Sequence, residues 1–594
     1  TMRKLLKQIL YFTIPISFLI LLLFFLNIIL FDFKLAHQSS MIYNSPADLH
    51  KYFILSEIKD FTNSFSKKKT SKFKKIDLYV EEQKLKQLIT KTPLSTKKWV
   101  NAKLNLDNEG FRNIQLRYRG DNPANWMYKK KSFKIKSRKN NLINNTRSFD
   151  YLMYTAEQFA SFYLSKKMSL ITQDAKISQV NLNGKNHGLY VELNKIDESF
   201  LRNNKIMPVN IYKGENHSME KIIGLNSNLF NNPRLWTKVA FFNQRDLNDY
   251  SDLKRFLTIL NKNQYNENHS INDYIDQDYF SKFEAFLTLT QNNHQDFFHN
   301  MRLISDPWNG KVYQLLTDPV INENIDGKPF LIDFASNDLS KIFNLKSNMI
   351  HKKYKFLYDY VTKKKIVEEL EQYFLSIDQD LKIADEVEPY MLNRINYIEG
   401  YQNLVKILKN NSQNITKILE SNFENSSWSF NANKKSIELI VGQNSPLTDL
   451  KIKFRNNETP EWIGLDENLN GKIDKNEFKF FLKNGKQSIE LPLILYSNRI
   501  LKTSRETLIA QDQEISNINT RFYIISSNNK KPIKVISKNY FTSKEYEIRY
   551  SEGRNKVRQS KNNRILSTKL KPLPIIELSG ELDIDKDKIF LSPV

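Results

Sequence analysis

The sequence predicts an α+β protein: a β-rich lobe, then a helical lobe, then a β-rich appendage, with one transmembrane helix ahead of them. Three observations carry this. Residues 76 to about 215 are dominated by short runs in which apolar and polar residues alternate, the two-residue period of a half-buried strand. Residues 236–415 follow the helical period instead, most strongly at 279–290, 356–376 and 380–410. After about 425 the alternation returns and continues to the end.

Taken in order, the chain opens on a basic stretch, residues 1–8, followed by Ile9 to Phe31 without a charge. Those 23 residues, at about 1.5 Å each, reach roughly 34 Å, enough to cross a hydrocarbon core of about 30 Å. The run is longer than a secretory signal core, and Lys34-Leu35-Ala36 puts a lysine where cleavage wants a small residue. It reads as an uncleaved anchor over 9–31, with the basic end in the cytoplasm and the bulk outside the cell membrane. Residues 32–75 form a juxtamembrane linker ending in Lys67, Lys68, Lys69, Lys72, Lys74 and Lys75, either a solvated spacer or a contact for anionic envelope polymer. Strands are expected at Ile76–Val80, Ile114–Tyr118 and Phe133–Ile135. Val180–Leu182 and Leu189–Leu193 flank Asn183-Gly184 and read as a hairpin, and a helix is expected over 155–169.

Composition narrows the classes. The chain has 594 residues and no cysteine, which excludes disulfide scaffolds, Cys-ligated zinc and thiol nucleophiles. Its 90 Lys+Arg against 65 Asp+Glu leave a net charge of +25. That charge is not gathered on a recognisable nucleic-acid reading module, and no nucleic-acid partner is expected. Part of the excess follows from a composition heavy in Lys, Asn and Ile. There is no GxxxxGK[ST] phosphate loop, no HExxH and no GxSxG.

The chemistry concentrates between residues 294 and 318. His294-Gln-Asp296-Phe-Phe-His299-Asn300 precedes two short strands, 301–305 and 311–316, around Asp306-Pro-Trp-Asn-Gly310, and Asp318 follows them. Counting outward from Asn309 sets Asn300 beside Asp318 at the open end of the hairpin. A loop Asp to accept a hydroxyl proton, an Asn a few residues on and an Asp after a hairpin to hold Mg²⁺ is the layout of phosphoryl transfer. The Asp296–Asn300 interval is one residue shorter than in protein kinases. The same residues also suit an ordinary hairpin with polar ends. A zinc or iron site through His294 and His299 lacks a third ligand.

Three blocks in order resemble the CotH family of spore-coat kinase-like proteins over about 76–340. The first is Leu116-Arg-Tyr-Arg-Gly120 with Lys131-Ser-Phe-Lys134-Ile-Lys136. The second is Val180-Asn-Leu-Asn-Gly184 with Gly188-Leu-Tyr-Val-Glu192 and Ile211-Tyr-Lys213, and the third is the Asp296/Asn300 loop with Asp318. The resemblance implies an atypical protein-kinase-like domain over 76–415, with a β-rich N-lobe and a helical C-lobe, that binds ATP with Mg²⁺ or Mn²⁺ and phosphorylates protein hydroxyls. By the same resemblance Arg119 and Lys134, or Lys131 in its place, meet the ATP phosphates. Glu192 orients that lysine, pointing away from the apolar side of its strand; Asp296 is the base, and Asn300 and Asp318 bind the metal. Family members commonly carry a second acid two residues after that Asp, where this chain has Val320. An envelope or surface assembly protein that keeps the fold without catalysis is the alternative.

Within the appendage, 425–594, the segment Asp466-Glu-Asn468-Leu-Asn470-Gly471-Lys472-Ile473-Asp474-Lys-Asn-Glu477 fits a twelve-residue calcium loop. Asp466, Asn468, Asn470 and Asp474 supply side-chain oxygens, Lys472 its carbonyl and Glu477 a bidentate carboxylate. The run Leu450–Phe454 before it is strand-like, so a structural calcium site inside a β domain is expected in place of a helix pair. An Asn/Gly-rich turn is the competing reading. Residues 578–591 alternate like edge strands.

Overall fold

The computed structural model describes residues 13, 15–19, 55–56, 58–63, 70–90, 98–107, 109–120, 129–138, 140–216, 228–240, 248–265, 271–298, 300–325, 327–390, 396–456, 458–482, 486–502 and 513–552. The anchor expected over 9–31 falls outside them except at 13 and 15–19, as do residues 1–8, most of 32–69, His299 and 578–591. Among the described residues no helix is long and apolar enough to cross a membrane. The architecture is α+β, and the chain divides into two compact units. One takes residues 1–159, 173–203 and 373–403; the other takes 160–172, 204–372 and 404–594.

The first unit is built on seven strands: β1 (Lys74–Tyr79), β2 (Val100–Leu106), β3 (Phe111–Tyr118), β4 (Phe133–Ser137), β5 (Ser148–Met153), β6 (Ala175–Leu182) and β7 (Lys185–Asn194). They close into a barrel in the order β1-β2-β3-β4-β5-β7-β6. Every pairing is antiparallel except the closure, where β1 runs parallel to β6. The alternation seen in sequence fills the interior from one face of each strand, with Ile76, Leu104, Leu116, Ile135, Val180 and Tyr190 in a single core. The Asn183-Gly184 turn is present. Both residues have positive φ, 51° and 79°, as a two-residue hairpin turn requires. The Asn183 side chain also bonds both backbone groups of Val80, at 2.8 and 2.9 Å, which ties the turn to the end of β1. The helix Asp378–Val387 packs on β7.

The second unit holds a four-stranded sheet of β8 (Asn210–Gly214), β9 (Trp236–Ala240), β10 (Met301–Asp306) and β11 (Lys311–Gln314), ordered β11-β10-β8-β9. Ahead of β10 runs the helix Gln277–Thr290, buried on nearly every side. Asp276 caps it by accepting from the Asp278 and Tyr279 amides, and Gln291 ends it in a left-handed turn at φ 48°. The helix expected over 356–376 is interrupted: Ser347–Tyr358 passes through a π-helical turn, Asp359–Lys363, before Ile366–Ser376. The expected helix over 380–410 is two, Asp378–Val387 and Tyr397–Leu419.

The C-terminal strands do not form a separate unit. A short strand β12 (Phe334–Ala335) precedes β13 (Ser427–Asn431), β14 (Ser436–Val441), β15 (Leu447–Lys453), β16 (Trp462–Asp466), β17 (Lys479–Phe481) and β18 (Ser488–Leu495). Then come β19 (Asn498–Lys502), β20 (Gln513–Ile518), β21 (Thr520–Ser526), β22 (Lys534–Asn539) and β23 (Glu545–Tyr550). Nine of them form one sheet ordered β17-β16-β21-β14-β13-β23-β22-β15-β18, and residues from both ends of that order share one core. β19 and β20 pair with each other outside this sheet, and β20 also pairs with β12, so Phe334 faces Glu514 and Ala335 faces Gln513. The compact units therefore do not follow the boundary expected between 415 and 425. Residues 404–552 belong with 204–372, because a strand from the middle of the chain completes its hairpin partner in the C-terminal region.

Candidate active site

In the second unit the loop 291–300 is shaped by its own amides and carboxyl. Asn292 accepts from the His294 amide at 3.0 Å and Asp296 from the Phe298 amide at 2.8 Å, each a tight side-chain-to-backbone turn. Gln295, fully buried, donates to the carbonyl of Leu315 at 2.7 Å and so fastens the loop to the chain leaving β11. The hairpin pairs Asp306 with Lys311 and Leu303 with Gln314. That register is one residue off the expected one, because the turn centres between Trp308 and Asn309. Thr317, not Asp318, therefore stands opposite Asn300, and its hydroxyl donates to the Asn300 carbonyl.

Asn300 and Asp318 are nevertheless brought together, through a histidine. His294 Nδ1 lies 2.8 Å from the Asp318 carbonyl oxygen and 3.6 Å from its carboxylate, and the Asn300 amide lies 3.4 Å from Nε2. Both residues hold left-handed backbone, φ 60° and 48°. Asn and Asp tolerate that conformation best, and such conformations concentrate at functional sites. Asp296 is buried while Asp318 is exposed. His299 falls outside the described residues, and among those described no three His, Asp or Glu side chains gather as a metal cage. Asn300 and Asp318 suit Mg²⁺ all the same, since that ion keeps several waters and takes substrate phosphate oxygens.

In the first unit the expected phosphate-binding cations share an unexpected partner. Arg119 Nε and Lys134 Nζ lie 3.0 and 3.3 Å from the same oxygen of Asp150, on the strand next to β4. Burial works against the Asp150 charge, but Lys134 and Arg119 outweigh it and hold the carboxyl below its ordinary range. Lys134 is pulled below the usual lysine range by burial, and the positive charges of Arg119 and Arg117 add to that against Asp150. Arg117 pairs directly with Lys134 across β3 and β4. Two cations thus share one carboxylate, while the Arg117 guanidinium lies over the Trp99 ring, 4.7 Å from its centre. Lys131 is pulled down to about 8 by burial alone, its ammonium 5.9 Å from the centre of the Tyr118 ring.

Glu192 does not reach Lys134. It shares the Tyr190 face as expected, but that face is the barrel interior, since Tyr190 and Tyr151 belong to the core. There Glu192 accepts from the Tyr151 hydroxyl at 3.0 Å and lies 3.6 Å from Lys74, while Lys134 points to the opposite face of the sheet. The error has a physical source: β7 is buried along both faces, so its alternation does not tell inside from outside.

Sequence reasoning also missed a pair. Lys130, next to the expected Lys131, is buried against Glu388, which also accepts from the Leu189 amide at 3.3 Å. Gly188 makes room for that carboxyl: at φ 77°, a Cβ there would fall 1.9 Å from a Glu388 oxygen. Nothing in the Lys129-Lys130-Lys131 run marks which lysine goes inside.

The calcium-like segment joins β16 to β17, inside a β region as expected, with its flanking strands at Trp462–Asp466 and Lys479–Phe481. Asp466 accepts from the Asn470 and Gly471 amides at 3.1 and 2.8 Å, and Asn468 and Asn470 both donate to Asp474. Glu477 accepts from the amides of Glu467, Asn468 and Asp474. Burial and the nearby Glu477 charge raise the Asp466 carboxyl above its ordinary range. By residue type this set, with the Lys472 carbonyl, is the kind calcium takes, but its carboxylates are not gathered as a cage here and the Asn468 and Asn470 amide nitrogens face Asp474.

A family model described as CotH kinase protein matches residues 116–426. That span takes in Arg119, the lysines of β4, Glu192 and the whole Asp296–Asp318 region, and it ends where β13 begins. No curated protein matches the chain. With more than half of its length under that model, the chain belongs to the CotH kinase protein family.

Proposed function

We propose that this protein transfers the γ-phosphate of ATP to a hydroxyl of a protein or a cell-surface polymer, on a two-lobed kinase-like framework. One observation carries the reading: Asn300 and Asp318, both in left-handed backbone, meet through His294 beside Asp296. Asp296 would take the proton of the acceptor hydroxyl as its oxygen bonds to the γ-phosphorus. The bond from that phosphorus to the bridging oxygen breaks, and ADP leaves. Asn300 and Asp318 would hold Mg²⁺ or Mn²⁺, which supplies charge neutralisation at the phosphate oxygens. Arg119, Lys134 and Lys131 would bind the phosphates as fixed positive charges. The apolar run 9–31 would anchor the protein with this chemistry outside the membrane. Incubation of the full chain with γ-labelled ATP and Mg²⁺ or Mn²⁺ tests the reading. Asp296→Ala and Asp318→Ala should each cut label transfer by about 10²–10⁴-fold. Transfer that survives both substitutions overturns it, and a folded parent that transfers nothing favours a non-catalytic assembly protein.

We also propose one structural calcium ion in the 466–477 loop, held by Asp466, Asn468, Asn470, the Lys472 carbonyl, Asp474 and Glu477. Calcium should raise the melting temperature of the parent and leave Glu477→Gln unmoved. A parent insensitive to calcium makes the segment a plain turn.

A further inference from the structure

The loop that carries Asp296 hangs from residues 331–337. Gln291 bonds both backbone groups of Leu331, at 2.9 and 3.2 Å, and the Asn337 amide donates to the Gln295 carbonyl at 2.9 Å. Asn337 is fully buried, and its other side-chain atom caps the helix Asp338–Leu345 through the Ser340 amide. The stretch is therefore in contact with the loop at both ends, and its own placement becomes the question.

Its middle is fixed from the C-terminal region. Arg499, on β19, is buried and reaches Asp333 through Nε at 3.0 Å, Tyr354 through one terminal nitrogen at 3.2 Å and the Ser497 carbonyl through the other at 3.2 Å. Lys353 meets Asp333 from the other side at 3.0 Å and also donates to the Ile332 carbonyl and to Asn344. Immediately after Asp333, β12 pairs with β20. A guanidinium with each nitrogen engaged holds its partners in one geometry, which a single ammonium cannot do.

β19 and β20 lie beyond residue 426, where the family match ends. We propose that this C-terminal hairpin is part of the catalytic apparatus, and that Arg499 is a positioning residue that sets the Asp296 loop through Asp333 and the 331–337 stretch. This deepens the phosphotransferase reading and rests on it for the catalytic consequence, but the mechanical claim has its own readout.

The experiment compares the full-length parent with Arg499→Met and Arg499→Lys by amide hydrogen exchange and by label transfer. Arg499→Met keeps Asp333 compensated by Lys353 and Tyr354, so the fold should persist. Exchange should rise in peptides covering both 331–338 and 291–300 and stay unchanged at 466–477. The Lys variant should fall between parent and Met. In transfer, kcat should drop on the order of tenfold with KM for ATP nearly unchanged, and Arg499→Lys should recover part of it. If the Met variant fails to fold, the Lys variant carries the same comparison. Unchanged exchange at 291–300, or a rise shared equally by 466–477, overturns the proposal. A parent without transfer activity, with the exchange pattern as expected, sinks only the phosphotransferase reading.

Discussion

Two groups of buried charge, Lys130–Glu388 in one unit and Asp333 with Lys353 and Arg499 in the other, behave oppositely. In the barrel unit Lys130 is the cation bonded to Glu388, with Lys59 a weaker influence, and burial dominates: the carboxyl is pushed up and the ammonium down, each toward its neutral form. In the other unit Asp333 is just as deep. Burial opposes its charge there too, but Lys353, Arg499 and the Tyr354 hydroxyl together hold its carboxyl below the ordinary range. A dry interior does not by itself decide whether a carboxylate keeps its charge. The number and kind of its partners decide: Asp333 has a lysine, an arginine and a tyrosine hydroxyl on its two oxygens.

The largest effect should come from removing one side of the simpler pair. Glu388→Ala leaves Lys130 buried among the Tyr190 and Tyr397 rings without a counter-charge. It should cost about 3–5 kcal/mol in chemical denaturation, and a loss near zero would break the comparison. Removing both partners should cost much less. Lys130→Met with Glu388→Leu should come within about 1 kcal/mol of the parent or exceed it. The matching double change, Asp333→Leu with Arg499→Met, should stay destabilised because Lys353 remains buried with only Glu284, a carboxyl that burial pushes up, as a charged neighbour. Equal recovery of both doubles would show that the extra cation is irrelevant. Acid gives the smallest effect. Since folding lowers the Asp333 value, its stabilisation is complete above the ordinary aspartate range and is lost as pH falls through the depressed value. Glu388, raised, has the opposite sign: its contribution is present in acid and is lost as pH rises through the elevated value. The stability gap between parent and Asp333→Asn should thus narrow on acidification. The gap for Glu388→Gln should not.

What the sequence disclosed followed the range of the interactions. The strands β1, β3, β4, β6 and β7 and the Asn183-Gly184 turn are legible because alternation and turn chemistry are local, whereas β2 and β5 were not named. The parallel closure of β1 on β6 is not, since it joins residues about a hundred positions apart by backbone bonds that leave no side-chain mark. The Asp296–Asn300–Asp318 set was legible from residue types alone, but its register was off by one, because counting from the turn assumed a centre at Asn309. His294 was set aside for want of a third metal ligand, whereas its place is between Asn300 and Asp318. Lys130, Glu388, Asp333 and Arg499 were invisible for a common reason: a charged residue in sequence reads as surface, and only the fold reveals which ones acquire partners inside. The calcium-like loop shows the reverse. Its spacing is local and so was legible as a pattern, and the β surroundings were read from Leu450–Phe454, although the strands that flank the segment are Trp462–Asp466 and Lys479–Phe481.

The closure of the barrel unit also sets an order in time. Lys130 waits for a partner 258 residues further along the chain. At a synthesis rate of roughly 5–20 residues per second, that wait is on the order of ten seconds to a minute. During it the β4 approach is present with a lysine destined for the interior and the cavity under Gly188 still unfilled. A chain that folds from its beginning thus cannot complete its first unit first. The barrel strands, all made by Asn194, can pair edge to edge early, and what is completed late is the Lys130–Glu388 pair and the packing of Asp378–Val387 on β7.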